Sequence, residues 1–172
     1  VEIRYGRLHN ASLSIVATAM IVVAIIHFAS HPELAPAVSL HDPRFSLMVG
    51  LAIAMAFFAW QGAERFANRA PQVVINHDGI GLGFGRHKHF AWGDIEWVRL
   101  RRLALRPQLQ IGLTPEAFAV ADLKLSPWSL DDSLRPIRGV PAAVVVRDNG
   151  LDCSAVAMLD AVKSFRPNLV RS

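Results

Sequence analysis

From Ala11 to Ala29 the chain reads ASLSIVATAMIVVAIIHFA, with no Asp, Glu, Lys or Arg. At 1.5 Å rise per residue, a helix of this length covers about 30 Å, the hydrocarbon thickness of a bilayer. A second uncharged run, FSLMVGLAIAMAFFAWQGA, extends from Phe45 to Ala63. Its Trp60 stands near one end, where an amphipathic ring suits the headgroup level. Core helices of soluble proteins carry a polar stripe, and neither run has one. The pattern therefore predicts a transmembrane hairpin over residues 1–70, with spans at about 11–29 and 45–63. A cleavable signal peptide is the alternative for the first run, because Arg4 and Arg7 precede it. That run is longer than the roughly 7–15 residues of an h-region, and a second span follows it. Gly50, Ala52, Ala54 and Ala56 offer small side chains for close helix packing in lipid.

After Pro71 the periodicity changes. QVVINHDGIGLGF reads as strand, turn at Asp78-Gly79, and strand. KHFAW and IEWVRLRRL read as two further strands around a Gly93-Asp94 turn, and PQLQIGL as another. Thr114-Pro115-Glu116 opens a short helix, with Thr as N-cap and Pro at the first helical position. Leu125 to Val140 carries two prolines and two adjacent aspartates, and reads as a long irregular insert. Ala142 to Val146 is an apolar strand. A last helix spans about Ser154 to Phe165, where Ala155, Met158, Leu159, Val162 and Phe165 recur at helical spacing and predict its buried face. Strands followed by one amphipathic helix give an α+β soluble domain over residues 71–172.

Charge assigns an orientation. Arg4 and Arg7 precede the first span and Arg65 and Arg69 follow the second, whereas the loop between carries Arg44 against Glu33 and Asp42. The positive-inside rule then predicts both termini in the cytoplasm. The net charge is +4, which suits anionic lipid headgroups at least as well as nucleic acid. Cys153 is the only cysteine, which excludes an internal disulfide and any cysteine-based zinc site and points to a reducing compartment.

Several segments resemble those of an uncharacterised family of small bacterial inner-membrane proteins with two transmembrane helices and a C-terminal PH-like domain. They are Arg69-Ala70-Pro71-Gln72-Val73-Val74-Ile75 running into Asp78-Gly79-Ile80, then Phe90-Ala91-Trp92-Gly93-Asp94-Ile95. Val140-Pro141-Ala142-Ala143-Val144-Val145-Val146 and Leu151-Asp152-Cys153-Ser154 follow. The resemblance covers nearly the whole chain and is weakest from Arg99 to Arg138. It implies a strongly bent β-sandwich closed by a C-terminal helix, and no agreed enzymatic activity.

Candidate chemistry is sparse. His87 and His89 alternate on a strand and could supply two metal ligands, with His77 or Asp78 as a third; solvated residues of an edge hairpin are the plainer reading. Asp94 reads as a turn residue or cap, without the partner carboxylate that acid–base work needs. Gly79, Gly81, Gly83 and Gly85 lack the Gly-Lys-Ser/Thr and the strand–loop–helix context of a phosphate loop, so close backbone packing explains them better. Ser154 reads as a helix N-cap, since no Gly-x-Ser-x-Gly surrounds it. Cys153 precedes that helix, whose N-terminus would activate it mildly, although a structural thiol is the simpler reading. His27 lies within the first span, where an ionisable residue is a candidate cofactor ligand, for instance to haem or a chlorin magnesium.

The remaining feature is basic charge. Arg86, Lys88, Arg99, Arg101, Arg102 and Arg106 face only Asp94 and Glu96 in the same stretch. They form a candidate contact for membrane lipids or an acidic partner, with a solvated strand face as the alternative. Nucleic-acid binding is not expected, because Trp92 and Trp97 read as core rather than exposed stacking platforms. The sequence thus predicts a non-enzymatic protein without cofactor or metal. Its expected role is accessory, assembly or scaffold subunit of a larger membrane complex, respiratory or photosynthetic hosts included. A stand-alone lipid- or protein-binding module at the inner face of the membrane is the alternative.

Overall fold

The computed structural model describes residues 1–39, 41–83, 88–103, 106–121, 134–136, 140 and 142–171. They form two compact units: residues 6–69, and residues 1–5 together with 70–172.

The first unit is a helical hairpin. Helix α1 runs Arg7–Ser30 and α2 runs Pro43–Ala67. Both extend past the uncharged runs by a polar turn, because backbone hydrogen bonding continues until a cap interrupts it. At the start of α2, Asp42 accepts a hydrogen bond from the Arg44 amide at 2.8 Å and Pro43 occupies the first turn, which satisfies helix donors locally. The helices meet along a narrow seam. Asn10 and Ala17 are buried on α1, and Gly62 and Arg65 on α2. The hydroxyl of Ser14 donates to the Ala59 carbonyl at 2.9 Å. A Cβ at Gly62 would stand 2.7 Å from the Asn10 carbonyl oxygen and 2.8 Å from the Ser14 amide nitrogen, so the two backbones touch where only glycine fits. At Gly50 an added Cβ would meet no described atom within 4 Å; the close approach lies at the other end of α2 from the one its small residues suggest. Ile15, Val16, Val22, Val23, Ile25 and Ile26 of α1 and Leu47, Leu51 and Ile53 of α2 are exposed. Both helices are long and apolar enough to cross a membrane.

The second unit contains two four-stranded antiparallel sheets. The first has β1 (Glu2–Ile3), β2 (Val73–Ile75), β3 (Gly79–Leu82) and β4 (Lys88–Ala91), in that order. The second has β5 (Ile95–Leu103), β6 (Arg106–Leu113), β7 (Leu134–Pro136) and β8 (Ala143–Val146), ordered β5-β6-β8-β7. Strand β1 differs from the domain division the sequence suggests. Glu2 and Ile3 pair with Val74 and Val73, and the Ile3 carbonyl accepts from the Gln72 amide at 2.7 Å. Tyr5 bridges to Leu151, and Arg4 and Asp152 exchange hydrogen bonds at 2.9 Å. The residues before the first helix thus belong to the sheet domain, not to the hairpin. Strand β7 lies inside the stretch expected to be an irregular insert; residues 125–133 and 137–139 of that stretch are outside the described residues.

Alternation along the strands builds the core. Ile3, Val73, Ile75, Ile80, Leu82, Phe90, Val98, Leu109, Ile111, Val144 and Val146 turn inward, as period-2 geometry requires. Helix α4 (Ala155–Phe165) closes this core against β2, β5 and β6. Ala155, Met158, Leu159 and Val162 are its buried face, as their spacing predicts, whereas Phe165, expected with them, is exposed at the last turn and stacks on Trp92 at 6.4 Å. Ser154 caps the helix by accepting from the Ala157 amide, and Asp148 accepts from the Ala155 amide. The short helix α3 (Pro115–Val120) starts at its expected cap, Thr114. Beyond α4 the chain returns beside β5, where the Arg171 amide donates to the Val98 carbonyl at 2.8 Å.

Candidate functional site

Of the six basic residues singled out by sequence, the described side chains of Lys88, Arg99 and Arg101 lie in two different sheets. Lys88 sits in the first sheet, and its ammonium donates to the Ala121 carbonyl. Arg99 and Arg101 sit on β5 in the second sheet. Arg102 and Arg106 have backbones in β5 and β6, with Arg102 at the opposite strand parity to Arg99 and Arg101. Arg86 lies outside the described residues.

What the fold does assemble is the face of the second sheet turned away from the core, exposed along β5 at Arg101 but with Gln110, Ala143 and Val145 buried. Inward positions Val98, Leu109, Ile111, Val144 and Val146 leave Trp97, Arg99 and Arg101 of β5 facing outward. Register places Gly112, Gln110 and Gln108 of β6 beside them, and Ala143 and Val145 of β8 beside the first two of these. Arg147 continues the parity of Val145 just beyond β8. The Trp97 indole lies over Gly112, where a Cβ would collide with the ring, and Gly112 is therefore the floor on which Trp97 rests. The Arg99 guanidinium stands 4.6 Å from the Trp97 centroid, within cation–π range. Its Nε donates to Gln110 Oε1 at 3.0 Å, and Gln110 is only 3% exposed. One face of the guanidinium and one donor are thereby fixed. Arg101 is exposed. The Nε of Arg147 is buried with no hydrogen-bond partner among the described residues, a costly state for a polar atom. None of these outward positions is Asp or Glu. Arg147 escapes sequence reading because only cross-strand register brings it into the row of Gln108 and Arg101.

The other candidates are dispersed. His77 is exposed and pairs with Asp78 at 3.2 Å; His89 is exposed on β4; His87 lies outside the described residues. Among the described residues no group of three His, Cys, Asp or Glu side chains is arranged to hold a metal. Asp94 accepts from the Ala91 amide at 3.1 Å, as a cap does. Gly79 packs against the Phe90 carbonyl, which accounts for it structurally. Cys153 runs against the idea of activation: burial first, then the Asp152 and Asp148 carboxylates, push its thiol pKa up. These effects outweigh the nearby helix N-terminus. His27 is exposed on α1, with its ring centroid 5.4 Å from that of His31.

No family model, curated protein or solved structure matches the chain.

Proposed function

We propose that the chain is a non-enzymatic, membrane-anchored protein whose PH-like domain docks it, as accessory, assembly or scaffold subunit, onto a larger complex of the bacterial inner membrane. Two antiparallel sheets and a closing C-terminal helix support the PH-like reading. The topology draws on the β1–β2 pair. Strands of one sheet lie on one side of a bilayer, so the chain between Tyr5 and Ala70 makes an even number of crossings. Both helices cross, and Arg4, Arg7, Arg65 and Arg69 assign the sheet domain to the cytoplasmic side.

The observation that carries the docking role is the set of arginines on the outward face of the second sheet. Arg99 is oriented there by Trp97 and Gln110, and Arg101 and Arg147 flank it. A planar guanidinium already held in place loses less freedom on meeting a carboxylate than a free lysine does. The partner is therefore an acidic protein surface on the host.

Purification of the full chain in mild detergent, with identification of co-migrating proteins, tests this. Wild type should retain its host at low salt and lose it as salt is raised, because screening acts within about 8–10 Å. Replacing Arg99, Arg101 and Arg147 together by Gln should release the host while tryptophan fluorescence stays native. If the triple variant retains the host as well as wild type does, this face is not the contact. Protection of the arginines from phenylglyoxal in anionic but not neutral nanodiscs, with host binding intact in the variant, would establish the lipid-binding alternative instead.

A further inference from the structure

We propose that His27 and His31 form a two-point chelate for a divalent transition cation of the zinc type, at the loop end of α1. This site is separate from the arginine face and does not depend on the docking role.

The backbone sets the spacing. His31 follows the last residue of α1, and its amide donates to the His27 carbonyl at 2.9 Å. The two imidazoles are therefore one helical turn apart on the same side, the i, i+4 relation by which two histidines can share one metal. Their ring centroids are 5.4 Å apart. Two imidazoles bound to one tetrahedral zinc at a Zn–N distance of about 2.0–2.1 Å have centroids about 5.2 Å apart. The observed separation matches that spacing, with the two rings tilted at 53° to each other.

A second observation points the same way. Glu33 Oε1 lies 3.3 Å from Nδ1 of His31. A carboxylate beside one ring nitrogen orients the imidazole and leaves Nε2 as the nitrogen that faces a cation, as in carboxylate–histidine–zinc arrangements. Glu33 reaches His31 because the chain turns into a short 3-10 helix, Pro32–Leu34, directly after the cap. Both histidines lie on the surface of the hairpin, and His31 stands just beyond the end of α1, the side from which a cation would approach. With no third ligand beside them among the described residues, water completes the coordination and the site is open rather than closed. Both donors are imidazoles, which suits Zn2+, Ni2+ or Cu2+ over Mg2+ or Ca2+.

The test is calorimetric titration of tag-free, full-length protein in detergent micelles with zinc sulfate near neutral pH. One saturable site is expected. His27→Ala and His31→Ala should each weaken it about tenfold or more, and Glu33→Gln about tenfold, while His77→Ala and His89→Ala leave it unchanged. Magnesium should give no signal, since imidazole donors suit zinc and not a hard oxygen-seeking cation. Absence of saturable zinc binding by wild type would overturn the proposal. So would a His27→Ala/His31→Ala double variant that binds as tightly as wild type, or loss of the site in the His77 or His89 variant alone.

Discussion

Ile3 lies directly opposite Val73 across the β1–β2 pair, although both membrane-length helices separate them in the chain. Both side chains are closed off from solvent, at 1% and 0% exposure. Removing the Ile3 side chain to Ala should cost roughly 2–5 kcal/mol of domain stability, as large-to-small core changes do. Urea unfolding of the full chain in micelles, followed by tryptophan emission, measures it. Unfolding at the wild-type urea concentration would mean that β1 does not contribute to the core.

The same pair fixes an expectation for topology. A reporter active only outside the cytoplasm should stay silent after Ser172. A cysteine introduced at Val38, which is 89% exposed in the inter-helix loop, should react with an impermeant maleimide added to whole cells. Activity at the C-terminus, or a position 38 thiol that reacts only after lysis, would reverse the orientation.

Within the hairpin, two glycines should behave oppositely. Gly62→Val drives a side chain into the Asn10 and Ser14 backbone, and overpacking of this kind costs about 1–3 kcal/mol. Gly50→Val has open space around it and should be neutral. Limited proteolysis of the inter-helix loop in micelles reports the difference: faster cleavage for the first variant and wild-type rates for the second.

Cys153 should alkylate slowly. Its thiol pKa is raised by burial and by Asp152 and Asp148, so less thiolate is present at mildly basic pH than for a free cysteine. Asp152→Asn removes one of these carboxylates, lowers the pKa and should speed reaction with iodoacetamide. An unchanged pH profile of the alkylation rate would show that Asp152 has no electrostatic hold on the thiol.

Much of the fold is legible where local rules act alone. The two uncharged runs, the caps at Thr114 and Ser154, and the buried stripe of α4 each follow from a few adjacent residues. Strand β1 also has a local signal: Val1-Glu2-Ile3-Arg4-Tyr5 alternates apolar and charged. Its proximity to the first span makes Arg4 read only as a topogenic charge, and pairing across the whole hairpin is invisible to local pattern. Strand β7 is obscured by Pro136, which an edge strand tolerates and which reads as loop punctuation. The outward arginine face is legible in part. Arg99 and Arg101 share a strand parity, but the support of Gln110 and Gly112 and the approach of Arg147 come from cross-strand register. The His31–Glu33 pair needs the short 3-10 turn after α1, whose presence the Pro32-containing loop does not announce.

On the proposed topology, the placement of β1 ahead of the hairpin would tie completion of the sheet to crossing by both helices. While α1 and α2 are being inserted, Glu2 and Ile3 must wait for a partner that has not yet joined them, and β2 has an unpaired edge until they meet. If α2 fails to cross, residues 1–5 and Ala70 end on opposite sides of the bilayer and the sheet stays one strand short. The Ile3 site is then an open gap beside Val73, and the bare edge of β2 is the kind of surface that chaperones and proteases engage. A wrongly threaded hairpin would thus leave the domain without its first strand.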